Sequence, residues 1–213
     1  MKSKYVVFDL DDTLMYEIDF LKSAYKEIAK YVDSENREEL GNKMFDWYTH
    51  GYNVFNLIEK EYSNFSVNQL LTIYRNHFPD LNLKEEVKEV FEYCKLKGYK
   101  LGLVTDGRSI TQRNKLKALE IDNVFDKLII SEEFGTTKPN ERNFKVFIED
   151  QIEEYYYIAD NPKKDFIAPN RLGWKTICLL DKGKNIHTQN FNVKDEFLPK
   201  IKIKSIIELK PYL

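Results

Sequence analysis

Three hydrophobic runs in this chain each stop abruptly at a polar residue, and that arrangement constrains the fold more than any other feature. Tyr5-Val6-Val7-Phe8 stops at Asp9, Tyr99 to Val104 stops at Thr105, and Tyr155 to Ala159 stops at Asp160. Apolar runs of this length without polar alternation read as strands covered on both faces. Helical spacing separates them. Val87, Val90, Phe91 and Cys94 mark a helix that Gly98 ends, and a further helix is expected over about residues 109–120. A strand at Lys127–Ile130 follows, then Asn140 as the cap of a helix carrying Phe144, Phe147 and Ile148. A short helix around 163–171 leads to a strand over Trp174–Leu179, and Lys200–Lys204 reads as a last strand with Ser205 capping a helix through Leu209. Strand, helix and strand in this order predict an α/β fold, a parallel sheet with helices on both faces. Ligands of such sheets bind beyond the carboxyl ends of the strands, so Asp9, Thr105 and Asp160 are expected around one crevice.

Between the first strand and Pro79 no strand candidate occurs. Ile18, Leu21, Tyr25, Ile28 and Val32 recur at helical intervals, and Leu40, Met44 and Tyr48 share a second helical face. Gly51 and Asn53 interrupt the pattern before Val54, Leu57, Ile58 and Tyr62. Ser66 and Gln69 match a capping box opening a short helix, and Pro79 closes it. The division expected is an α/β core of residues 1–15 and 81–213 with an all-helical insertion over 16–80. Residues 181–199 read as loop.

Composition narrows the partners. The formal charge of −2 gives no electrostatic case for nucleic acid or an anionic membrane surface. No apolar span of about 18 residues occurs, and the N-terminus lacks a signal-peptide core. Cys94 and Cys178 read as buried, reduced thiols, which fits a cytoplasmic protein.

Asp9, Asp11 and Asp12 crowd three carboxylates into four positions, and like charges so close need a cation, raised pKa values or full solvation. The rest of the chain offers partners: Thr105 at a strand end, Lys138 before a proline, and the acidic pair Asp160 and Asp165. With these residues in hand the chain resembles a haloacid dehalogenase superfamily phosphohydrolase. Asp9-Leu10-Asp11-Asp12-Thr13 is similar to that family's first motif and Val104-Thr105-Asp106-Gly107 to its second. Lys138-Pro139 is similar to the third, and Asp160-Asn161-Pro162-Lys163-Lys164-Asp165 to the fourth, with Ala159 where the family more often has Gly. The resemblance covers about residues 4–180. It implies a Rossmann-like core, a small helical cap domain at 16–80, and Mg2+ as cofactor. It also implies roles. Asp9 would be the nucleophile and a metal ligand, forming an aspartyl-phosphate. Asp11 would be general acid and base, its backbone carbonyl binding the metal. Asp160 would complete the metal site, and Asp165 would orient a ligand of the metal. Thr105 and the amides of Asp106 and Gly107 would hold the phosphoryl group, Lys138 would offset the negative charge, and Arg108 is a candidate for a second anionic group of the substrate.

Two other acidic architectures fail. An EF-hand loop starting at Asp9 would need Gly and Glu where Leu14 and Phe20 stand. A receiver domain lacks a helical insertion after its first strand. Within the resembled family, dehalogenases carry no acid two positions after the nucleophile, because halide leaves without a proton. Asp11 therefore points to phosphoryl transfer. Hydrolysis of a small phosphorylated metabolite, by a monomer or homodimer, is the expectation. A phosphomutase, or a binding or regulatory member with incidental phosphatase activity, is the alternative. In the insertion, Trp47, Tyr48, His50, Tyr52, Arg75 and His77 are candidates to touch a substrate.

Overall fold

The computed structural model describes residues 2–213. Six strands form one parallel sheet: β1 (Lys4–Phe8), β2 (Lys100–Thr105), β3 (Lys127–Ile130), β4 (Glu154–Ala159), β5 (Lys175–Leu179) and β6 (Ile201–Ile203). Their order in the sheet is β3-β2-β1-β4-β5-β6, so the direction of winding reverses between β1 and β4. Such a reversal opens a crevice at the strand ends, since neighbouring connections leave on opposite faces. The register sets Phe8 opposite Leu103 on one side and Ile158 on the other. That pairing brings the residues just beyond the strands, including Asp9, Thr105 and Asp160, to one edge.

Side chains alternate along each strand, and the two faces bury separate cores. Val6, Phe8, Leu101, Leu103, Tyr156 and Ile158 pack on one face with α5 (Glu85–Leu96) and α6 (Ser109–Ala118). Tyr5, Val7, Val104, Tyr157 and Ala159 pack on the other with Phe144, Phe147, Phe166 and Trp174. Three short helices complete this half: α7 (Ser131–Phe134), α8 (Arg142–Lys145) and α9 (Ile167–Arg171).

Between β1 and α5 lie four helices, α1 (Glu17–Val32), α2 (Arg37–Thr49), α3 (Val54–Glu61) and α4 (Val67–Asn76). They enclose their own cluster of Leu21, Tyr25, Ile28, Leu40, Met44, Val54, Ile58 and Leu70. Asn53 caps α3, and Ser66 with Gln69 forms the expected capping box on α4. The block is tied to the core through Thr111 Oγ1 donating to the Arg75 carbonyl, and through Asn114 Nδ2 donating to the carbonyls of Asn76 and His77. Among the described residues no helix is long and apolar enough to cross a membrane.

Two sequence expectations are corrected. The helix expected after Asn140 is a single turn, because the chain beyond Lys145 closes with i→i+3 bonds from Phe147 to Phe144 and from Ile148 to Lys145. Asn140 still accepts from the Arg142 amide. At the C-terminus a short 3-10 turn over Ile206–Leu209 replaces the α-helix, and the Ser205 hydroxyl bonds Glu86 instead of capping.

Gly102 in β2 marks the tightest packing. A Cβ there would lie 2.5 Å from Phe147 Cε1 and 3.0 Å from Tyr5 Cε2. Both rings are fully buried. Gly102→Ala is expected to destabilise the fold by about 1–3 kcal/mol through overpacking. Calorimetry should read a fall in Tm of roughly 2–4 °C per kcal/mol at this chain length.

Candidate active site

The site begins where β1 ends. The Asp9 amide donates to the Ile158 carbonyl, extending the ladder by one residue, and the chain then turns sharply, with the Leu10 carbonyl accepting from Leu14 at 2.9 Å. Asp12 takes a left-handed conformation at φ 56°, which Asp tolerates better than most residues. Its carboxylate accepts from the Glu17 amide at 2.9 Å and the Ile186 amide at 3.2 Å. Asp12 thereby fixes the start of α1 and anchors the loop that follows β5.

Asp9 faces the most strongly paired group in the molecule. The wholly buried Lys138 ammonium lies 2.8 Å from Asp9 Oδ1 and 2.7 Å from Asp165 Oδ1, and it donates to Tyr157 Oη at 3.2 Å. The Lys138 amide donates to Asp106 Oδ1 at 3.0 Å, so the residue after β2 holds the lysine's own backbone. Asp165 also accepts from the Asn161 amide at 3.0 Å, which engages both its oxygens within the protein. Burial alone would weaken the Lys138 charge, but Asp165 and Asp9 outweigh it and raise its pKa well above the ordinary value.

One ammonium does not balance the acids gathered here. Carboxylate oxygens of Asp9, Asp160 and Asp165 all lie within 4.8 Å of one another, and all three residues are buried. Burial, and after it the charges of Asp165 and Asp9, push Asp160 up to about 9. Burial raises Asp9 to about 6, Lys138 opposing and Asp165 adding to the rise. Three buried acids around one buried ammonium fit a site for a divalent cation, with Asp9 and Asp160 as its donors and Asp165 already engaged by Lys138 and the Asn161 amide. Asn185 Nδ2 donates to Asp160 Oδ2 at 2.9 Å, orienting the acid that has no cation of its own.

Asp11 points to different partners. Lys115 Nζ stands 2.7 Å from its Oδ1 and Gln112 Nε2 stands 2.9 Å from its Oδ2. Burial works against ionisation of Asp11, but the Lys115 charge and the bonds from Lys115 and Gln112 prevail and hold its pKa below the usual carboxylate value. Gln112 Nε2 also contacts Thr105 Oγ1 at 2.5 Å. Burial and the adjacent Asp11 charge push Glu17 up to about 7. Lys164 reaches in from the loop after β4, 3.6 Å from Asp106 Oδ2.

The structure thus brings Asp9, Asp11, Thr105, Asp106, Lys138, Asp160 and Asp165 together at one end of the sheet. Gly107 and Arg108 border it but are engaged elsewhere: the Gly107 amide donates to Ser131 Oγ, and the exposed Arg108 guanidinium lies 3.5 Å from Glu132. In the helical block, Trp47 and Tyr48 pack against the block's own core, while His50 and Tyr52 stack on each other at the surface. His77 is buried against Phe20, with ring centroids 4.8 Å apart. Sequence reasoning missed Glu17, Gln112, Lys115, Tyr157, Lys164 and Asn185. Tyr157 sits in an apolar strand, and the others lie on helices or loops rich in polar residues, where nothing in the spacing separates an inward side chain from a solvated one.

Replacing Lys138 would leave Asp9 and Asp165 buried without a cation. Lys138→Met is expected to lower stability by roughly 3–5 kcal/mol, read from urea unfolding midpoints at constant slope.

The profile of the haloacid dehalogenase-like hydrolases matches residues 6–179. A glyceraldehyde 3-phosphate phosphatase of Methanocaldococcus jannaschii is 31% identical over 198 residues, covering 85% of this chain and 86% of that protein. The pyrophosphatase PpaX of Bacillus cereus is 28% identical, covering 84% of each. Among solved structures, magnesium-bound YfnB of Bacillus subtilis superposes with a TM-score of 0.63 at 18% identity, over 100% of this chain and 99% of that one. On the profile match and the archaeal relative together, the chain belongs to the haloacid dehalogenase-like hydrolase family.

Proposed function

We propose that this protein is a Mg2+-dependent phosphatase that hydrolyses a small phosphomonoester through an aspartyl-phosphate on Asp9. The observation that carries the reading is the division of two carboxylates, two residues apart, between two cations. Asp9 is held by Lys138 and Asp11 by Lys115. A carboxylate locked against a buried ammonium on one side offers its other oxygen as a fixed nucleophile. The second, Asp11, would give a proton to the leaving oxygen and later take one from water. Asp9, Asp160 and the Asp11 carbonyl would hold Mg2+, which supplies charge neutralisation for the incoming dianion. Asp165 serves this site by holding Lys138. The phosphatase and pyrophosphatase names of the curated relatives support a phosphorylated metabolite as substrate.

Helices α1–α4 act as a cap that closes over the site and contacts the leaving group. Phe20 of α1 supports this role: its ring centre lies 4.3 Å from the Lys115 ammonium that is paired with Asp11.

Hydrolysis of 4-nitrophenyl phosphate tests the mechanism. Activity is expected with Mg2+ and lost in EDTA. Asp9→Asn is expected to reduce kcat by at least about 1,000-fold, the order found when a nucleophile is removed. Turnover that survives both would overturn the reading.

The acids also set a pH dependence for metal binding. Asp160 near 9 and Asp9 near 6 bind protons in the metal-free fold that the unfolded chain has released above the ordinary carboxylate range. The folded state holds more protons than the unfolded one through this window, so metal-free stability falls as pH rises from about 4 toward about 9. Mg2+ must displace those protons. Its stabilisation, read as the Tm difference with and without the ion, should therefore be larger at pH 8 than at pH 6. A difference that shrinks with rising pH would remove Asp160 and Asp9 as ligands.

A further inference from the structure

We infer that Lys164 is a substrate-binding residue whose ammonium donates to the oxygens of the transferring phosphoryl group. This inference rests on the phosphatase reading and gives a role to a lysine that the four motifs leave without one.

The strand order places Lys164 over the nucleophile. Lys164 leaves the loop after β4, and its ammonium lies 3.6 Å from Asp106 Oδ2 in the loop after β2. In the sheet β1 stands between those two strands and pairs with both. The lysine side chain therefore spans the end of β1, where Asp9 stands. Both of its supports are fixed. The turn that carries it closes with the amides of Lys164 and Asp165 donating to the Asn161 carbonyl at 3.2 and 3.0 Å. Asp165 is locked to Lys138 at 2.7 Å, and at the far end Asp106 Oδ1 accepts from the Lys138 amide at 3.0 Å.

The site is also short of free donors, and Lys164 has them. A phosphoryl group in transfer spreads its negative charge over three oxygens, which seek charge-assisted hydrogen bonds. Three lysines face the acids here, and two are already committed. Lys138 Nζ has three N–H groups and three protein oxygens around it, from Asp9 at 2.8 Å, Asp165 at 2.7 Å and Tyr157 at 3.2 Å. Lys115 is 3% exposed, held between Asp11 at 2.7 Å and the Phe20 ring. The Gly107 amide is given to Ser131 Oγ.

Lys164 differs from both. Its side chain is 39% exposed, and 3.6 Å to Asp106 is longer than a hydrogen bond. Among the described residues its ammonium makes no hydrogen bond, so its three donors are open to a ligand. Burial and the Lys138 charge oppose its ionisation, but Asp9, Asp165 and Asp106 outweigh them and raise its pKa above the ordinary value. It meets the substrate as a cation. Thr105 adds a neutral donor, since its Oγ1 accepts from Gln112 Nε2 and keeps its own proton free. A dianion approaching the Asp9 carboxylate is repelled, and an ammonium on the exposed side of the site offsets that repulsion.

Competition with inorganic phosphate reads this contact. Wild type, Lys164→Met and Lys164→Arg are compared in hydrolysis of 4-nitrophenyl phosphate with Mg2+, after circular dichroism establishes that each variant is folded. Lys164→Met is expected to lower kcat/KM and to raise the inhibition constant of phosphate, each by at least about 10-fold, the weight of one hydrogen bond to a charged group. Lys164→Arg keeps the charge and the donors and is expected to stay within about 3-fold of wild type on both. The Mg2+ concentration giving half of the ion's Tm shift should not rise in Lys164→Met, because removing a cation relieves repulsion of the metal. Unchanged phosphate inhibition in Lys164→Met would overturn the contact and leave Lys164 a tether of Asp106. A loss that comes with weaker Mg2+ binding and that arginine does not restore would overturn it too, as the mark of a disturbed metal site. Lys164→Gln replaces the methionine variant if that one does not fold. Wild type without activity on 4-nitrophenyl phosphate would mean that the phosphatase reading itself has failed, a result distinct from an active enzyme indifferent to Lys164.

Discussion

The structure depends on one buried ammonium. Lys138 Nζ bridges Asp9 at the end of β1 and Asp165 in the loop after β4, while its backbone amide is held by Asp106 after β2. Three strand ends are therefore registered against one residue, and Tyr157 contacts its ammonium from β4. In a medium of low effective dielectric, such pairs are strong only while every partner is present. The arrangement still leaves Asp160 without a cation, and its raised pKa records the imbalance. The buried acids here outnumber the ammonium paired with them.

Charge is also divided spatially. Lys138 pairs with Asp9 and Lys115 with Asp11, so two acids that would otherwise repel have separate partners. Asp9 is pushed upward by burial, whereas Asp11 is held down by its ammonium despite burial. Here the division is made by two elements far apart in sequence, the loop carrying Lys138 and helix α6.

The sheet was legible because strands buried on both faces must be continuously apolar, and each such run ended where the site begins. The motif residues were legible for the same reason: Asp9, Thr105 and Asp160 follow apolar runs, and polar residues there have few structural uses. The supporting residues were not. Gln112 and Lys115 stand in the stretch Thr111-Gln112-Arg113-Asn114-Lys115, which reads as a solvated helix because a polar residue facing a buried acid looks the same in sequence as one facing water. Asn185 and Gln189 lie in a polar loop without period, yet they bond the Asp160 carboxylate and carbonyl. Phe147 misled in the opposite sense: its helical spacing from Phe144 was real, but packing against Tyr5 and Trp174 is satisfied by a tightened turn.

The loop after β5 carries the last step of the argument. Asn185 bonds Asp160, the Ile186 amide bonds Asp12, and the Ile186 side chain packs against the hydrophobic cluster of the helical block. Asp12 in turn accepts from the first amide of α1, the helix through which that block leaves the core. Two successive loop residues therefore touch Asp160, the turn after β1 and the helical block at once. The helical block and Asp160 are thus joined by a continuous chain of contacts through Asp12, Ile186 and Asn185.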